Sequence, residues 1–157
     1  MLLLRLPMRK PTQLQVAVPP FSKSLFPYRE FPAWKAVARA FELISRASSQ
    51  LPRRATLARL ERPLVGASQR IVAVADGGLP PHRWHRRVCS ALAYLQRAAN
   101  AVPPYERSGA LTRRQGDELL DAIIDACEHL SAAVVQAEIP DELRAPSRSA
   151  GPSRVLH

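Results

Sequence analysis

Between Leu57 and Val74 the apolar residues Leu57, Leu60, Leu64, Ala67, Ile71 and Val74 recur in alternating steps of three and four. That spacing puts all six on one stripe of an α-helix, and such a stripe is stable in water only against other helices. The segment therefore predicts the central wall of a helical bundle. Arg59, Arg62, Ser68, Gln69 and Arg70 fall on its opposite side. Its end is expected at Asp76-Gly77-Gly78, because Gly supplies the positive φ that a helix C-terminus favours. Small residues at Gly66, Ala67, Ser68, Ala73 and Ala75 let a neighbouring helix come close. Pro63 is expected to kink the helix or to split off its first turn.

Three more amphipathic segments surround it. The first begins at Pro32, a residue suited to the first helical position, and ends at Leu51-Pro52. Its apolar face reads Trp34, Val37, Ala38, Phe41, Ile44 and Ser48, with Trp34 and Phe41 as core aromatics. A third helix follows Pro80-Pro81 and presents Trp84, Val88, Ala91, Leu92, Leu95, Ala98 or Ala99, and Val102, with Pro103-Pro104 as its stop. The fourth opens on Thr112 with Gln115 three residues on, a capping box, and Leu111 is placed to staple it. Its stripe reads Leu120, Ile123, Ile124, Cys127, Leu130, Ser131 and Val134, and it ends before Pro140. Four such helices with short connections predict an all-α fold, an antiparallel up-down four-helix bundle over residues 32–139. Residues 1–31, with Pro7, Pro11, Pro19, Pro20 and Pro27, read as a basic proline-rich extended arm in which Gln13–Val18 alternates like a strand. Residues 140–157 read as a disordered, flexible tail.

At 157 residues the chain is long enough for one sizeable core. Its net charge is +10, and the distribution of that charge is the stronger signal. Residues 51–100 carry nine arginines against two acids, whereas residues 101–139 carry three against seven. A bundle with one basic side is a candidate polyanion binder. The same asymmetry would let the acidic last helix of one subunit meet the basic face of another. The most basic run is His82-Arg83-Trp84-His85-Arg86-Arg87 at the start of the third helix. Cations there oppose the helix macrodipole at a few tenths of a kcal/mol each, so the run invites a functional explanation.

No catalytic constellation is legible. His82 and His85 have a spacing that one metal can bridge, but the arginines around them repel a divalent cation. His129 beside Glu128 lacks the paired Glu-x-x-His pattern of di-iron bundles. Each histidine reads as solvated or structural, and no metal or cofactor is expected. Cys89 and Cys127 sit in helical patterns and read as small, buried, reduced thiols. Gly77-Gly78 is not followed by the Lys-Ser/Thr of a phosphate-binding loop. The opening MLLLRLPMRK is too short an apolar run for a secretory signal, and no stretch approaches the ~20 apolar residues of a membrane span. A cytoplasmic protein is expected.

The order of features resembles a known family. Its members have a first helix with an early Trp, a loop ending in Leu-Pro, and a second helix closing on Ile-Ala-Glu-Gly. A third helix with a central Ser follows, then a fourth after a Leu-Thr or Leu-Ser start. Trp34, Leu51-Pro52, Val74-Ala75-Asp76-Gly77, Ser90-Ala91-Leu92 and Leu111-Thr112 stand in those places, over roughly residues 33–137. The chain is thus similar to the four-helix-bundle proteins encoded in intervening sequences of bacterial ribosomal RNA genes. That family also includes the accessory variability determinant of diversity-generating retroelements. The resemblance implies a basic bundle that self-associates into a pentamer. In the retroelement branch it implies a reverse transcriptase as partner and contact with template RNA or cDNA.

Charge and resemblance together lead to the expectation of a non-enzymatic, nucleic-acid-binding accessory subunit. Arg53, Arg54, Arg59, Arg62, Arg70, Arg83, Arg86, Arg87 and Arg97 are its expected phosphate ligands. The alternative is a homo-oligomeric assembly protein whose basic and acidic helices pair between subunits. A third reading is a bundle enzyme that handles nucleotides through the His82–Arg87 run.

Overall fold

The computed structural model of the protein describes residues 27–138. The expected strand at Gln13–Val18, nearly all of the arm and the tail after residue 139 lie outside the described residues. A 3-10 turn, Pro27–Glu30, leads into four α-helices: α1 (Pro32–Ser49), α2 (Ala58–Ala75), α3 (Pro81–Arg107) and α4 (Arg113–Glu138). Helix α2 packs chiefly on α3, and α1 on α4. The pairs run antiparallel, as shown by Arg59 against Tyr105 and Arg70 against Ser90 in one, and Gln50 against Gln115 and Arg39 against Asp125 in the other. The all-α four-helix arrangement is the one expected.

The α2 stripe is the spine of the core. Leu60, Leu64, Ala67, Ile71 and Val74 are wholly buried, and Leu57, the N-cap residue, nearly so. The helix ends at Ala75 with Asp76 as C-cap, and Gly77 takes φ +66° as expected. Pro63 does not split it. Leu60 and Glu61 already donate to the Leu57 carbonyl before the proline, whose missing N–H leaves only the Arg59 carbonyl without its helical donor.

Three local expectations are corrected. On α1 the fully buried residues are Ala33, Ala36, Val37, Ala40, Ile44 and Ala47, while Trp34, Ala38, Phe41 and Ser48 are only half-buried. Alanines at Ala122, Ala126 and Ala133 of α4 are buried as well. Small residues on both helices permit close approach, so the two α1 aromatics are left at the boundary, with the Trp34 ring edge-on to Tyr28 at 5.4 Å.

On α4 the core stripe is Leu119, Ala122, Ile123, Ala126, Leu130 and Ala133, so Ile123 and Leu130 are buried as expected and the rest of the expected stripe is not. Leu120, Cys127 and Val134 flank it, Ser131 is exposed, and Ile124 is 50% exposed. Alanines carried the true face and the bulkier residues misled the reading. The start of the helix is as expected. Thr112 N–H donates to Gln115 Oε1 at 2.9 Å, Gln115 N–H donates to Thr112 Oγ1 at 3.2 Å, and Leu111 is buried.

Helix α3 runs through Pro103-Pro104 to Arg107 instead of stopping there. Both prolines are exposed, so water can reach the carbonyls of Ala99 and Asn100 that they leave without helical donors. Buried Val102 and half-buried Tyr105 give the extra turn its packing. The real stop is Gly109 at φ +75°, with Leu111 N–H donating to the Tyr105 carbonyl at 3.2 Å.

Candidate nucleic-acid interface

The α2–α3 pair concentrates positive charge. The two helices carry eight arginines against Glu61 and Glu106, whereas α4 carries Arg113 and Arg114 against six acids. Six of the nine expected ligands, Arg59, Arg62, Arg83, Arg86, Arg87 and Arg97, are exposed on these two helices. Arg53 and Arg54, also exposed, lie in the connection from α1 at the Arg59 end. Arg83, Arg86 and Arg87 lie on the first two turns of α3, at the opposite end of the bundle. None of the nine is ion-paired among the described residues; the acids Glu30, Asp125 and Glu118 pair instead with Lys35, Arg39 and Arg114. With α2 about 27 Å long at 1.5 Å per residue, the arginines are spread along the bundle and not gathered at a point.

Arg70 differs from the other eight. It is half-buried, and its Nε donates to Ser90 Oγ at 2.5 Å, while a terminal nitrogen donates to the Gly66 carbonyl at 2.9 Å. The guanidinium also lies over the Tyr94 ring, 4.2 Å from its centroid. The Tyr94 ring in turn occupies the space a Gly66 side chain would fill: a Cβ there would stand 2.6 Å from two ring carbons. Gly66 therefore admits the ring, the ring seats Arg70, and α2 is fixed to α3. Arg97 approaches the same ring at 5.1 Å.

At the other end of this interface Tyr105 Oη accepts the Arg59 N–H at 3.2 Å, satisfying one of the orphan donors of the α2 N-terminus. Beside it an open groove of about 470 Å³ separates the first turn of α2 from the last turns of α3. Arg59, Arg97, Asn100, Tyr105 and Ser108 are its polar lining.

No protein-family model, curated protein or solved structure matches the chain.

Sequence reasoning missed Tyr94, Tyr105 and Asn100, and marked Ser90 only as the central Ser of the family resemblance. A usable signal was present, because Ser90, Tyr94, Arg97, Ala101 and Tyr105 recur at steps of three and four and mark a second stripe on α3. Of the cysteines, Cys89 is exposed and not buried as expected, whereas Cys127 is half-buried. Burial, with Glu128 beside it, raises the Cys127 thiol above its ordinary pKa. No group of three His, Cys, Asp or Glu side chains placed to hold a metal occurs among the described residues. None of the described helices is long and apolar enough to cross a membrane.

Proposed function

We propose that the protein is a non-enzymatic, nucleic-acid-binding accessory subunit that engages RNA or cDNA through the α2–α3 face. The observation that carries this reading is the set of arginines without a carboxylate partner on that face, set apart from the acidic α4. Unneutralised guanidinium groups in a row are costly to keep together and favour a polyanion, which presents about one charge per 1.7 Å of duplex axis. Arg53, Arg54, Arg59, Arg62, Arg83, Arg86, Arg87 and Arg97 are the phosphate ligands in this reading, and Arg70 is the residue that holds the two helices in register. The resemblance of residues 33–137 adds a reverse transcriptase as the protein partner and self-association, as a pentamer in that family.

Gel-shift titration of RNA and DNA across a salt series tests the proposal. Binding at low salt with a steep negative log–log slope is expected, and Arg62→Ala should make the slope shallower by about one contact. No shift at low salt removes the reading.

A second reading draws on a different observation. Ile124 is 50% and Val135 59% exposed on α4, beside half-buried Leu120, Cys127 and Val134. This apolar stripe next to acidic residues suits an assembly surface that binds no nucleic acid. Solution mass distinguishes the two: an oligomer that persists in high salt and shifts no oligonucleotide favours the second.

A further inference from the structure

The groove between α2 and α3 has a composition that the rest of the basic face lacks. Arg59 enters it from α2 and Arg97 from α3, both exposed and without an ion-pair partner. Arg97 also lies over the Tyr94 ring, 5.1 Å from its centroid. Asn100 Oδ1 accepts a hydrogen bond from Gln96 Nε2 at 3.0 Å, which leaves the Asn100 amide nitrogen as the free donor. The donors at the rim are thus two guanidinium groups and an amide, a set that suits a phosphate and a base carbonyl.

The rest of the lining is different in kind. Pro104 and Ala101 supply apolar surface, and Tyr105 adds an aromatic ring whose phenol oxygen is fixed by the Arg59 N–H at 3.2 Å. Acceptors occur as well. Pro63 and Pro104 cannot donate to the carbonyls of Arg59 and Asn100, two residues of the groove lining, so each carbonyl is without its i+4 helical donor. Donors, acceptors, an aromatic ring and an apolar surface within about 470 Å³ match a single planar, phosphate-bearing unit. A duplex buries its base faces in its own stack and can offer this groove only its backbone. A single strand can offer a base as well.

We propose that this groove receives one unpaired nucleotide, with its phosphate between Arg59 and Arg97 and its base against Tyr105 and Pro104, so that the protein prefers single-stranded nucleic acid to duplex. The inference rests on the reading of the α2–α3 face as a polyanion surface and specifies which form of nucleic acid that surface selects.

Fluorescence anisotropy on the full chain tests it, with a labelled single-stranded oligonucleotide and the duplex of the same length at one salt concentration. The single strand should bind about tenfold more tightly, the scale of one base stacked on an aromatic ring. Tyr105→Leu should weaken the single strand several-fold more than the duplex and so abolish the preference, while Tyr105→Phe keeps it. Asn100 is exposed, so Asn100→Ala perturbs the fold little and removes the amide donor without adding charge; it should weaken the single strand several-fold more than the duplex even where Tyr105→Leu fails to fold. Equal affinity for the two forms, or variants that weaken both alike, overturns the groove and leaves the polyanion face standing. Binding of neither form at low salt overturns the face itself.

Discussion

The guanidinium carbon of Arg70 lies 4.2 Å from the centroid of the Tyr94 ring, and the same side chain bonds Ser90 Oγ and the Gly66 carbonyl. One cation thus ties the main chain of its own helix to a hydroxyl and a ring on the next. The charge stays partly hydrated because Arg70 is only half-buried, which reduces what each contact contributes. Arg70→Ala should still cost about 1–2 kcal/mol, the combined scale of a cation–π contact and a charge-assisted hydrogen bond. Arg62→Ala, on an exposed residue of the same helix, should fall within about 0.5 kcal/mol of wild type. Urea unfolding of the two variants checks this, and equal midpoints would show that Arg70 is as dispensable to the fold as Arg62.

Gly66→Ala has two opposed effects. Alanine is the better helix former by about 1 kcal/mol, but its Cβ would meet the Tyr94 ring at 2.6 Å. Displacing the ring also disturbs the Arg70 contact, so a net loss of about 1–2 kcal/mol is expected. The sign should reverse with Tyr94→Ala already in place, where only the propensity gain remains. A thermal-melt double-mutant cycle reads both, and a destabilised Gly66→Ala in the Tyr94→Ala background would disprove the steric account.

The α2 spine was legible because its buried residues are large and regularly spaced, and the α4 start because a capping box is a local device. The face of α4 was misjudged for a physical reason. Ala122, Ala126 and Ala133 are buried on α4, which packs on the alanine-rich buried face of α1, while bulkier Ile124 is half out in solvent. Apolar bulk and burial part company where helices approach closely, and a one-residue shift of the stripe follows. The arginine face was legible as charge along the chain. Withdrawal of Arg70 from it was not, since that depends on Gly66, Ser90 and Tyr94 meeting across two helices.

That shift yields its own prediction. Leu119 is wholly buried and Leu120 only partly so. Leu119→Ala should cost about 2–5 kcal/mol, in the range for cavity-forming core truncations, and Leu120→Ala clearly less. Comparable losses at the two positions would return the helix to the register first read from the sequence.

The continuation of α3 through two prolines can be tested by removing one. Pro104 is exposed and interior to the helix, and it denies the Asn100 carbonyl a helical donor. Pro104→Ala restores that bond and should stabilise the protein by roughly 1–3 kcal/mol. Were the helix to stop at Val102, as the sequence suggested, the same change would fall in a loop and lose the stiffness proline gives the unfolded chain. A lowered melting temperature for Pro104→Ala would favour that earlier stop.

The two cysteines should separate by reactivity and by pH. Cys89 is exposed on α3, whereas Cys127 is half-buried and its thiol is held above the ordinary pKa by desolvation and then by the neighbouring Glu128. Because the thiolate is the nucleophile, iodoacetamide at about pH 8 should label Cys89 well before Cys127. Mass spectrometry of the single variants Cys89→Ser and Cys127→Ser gives the order. The stability linkage has a definite sign. A thiol whose folded pKa is raised binds its proton more tightly in the folded state, so its contribution is complete below the unfolded pKa and is lost as pH rises past it towards the folded value. Wild type should therefore lose stability relative to Cys127→Ala from about pH 9 upward and hold a constant difference from it at neutral pH. Parallel pH profiles for the two proteins through that range would mean that burial does not perturb Cys127.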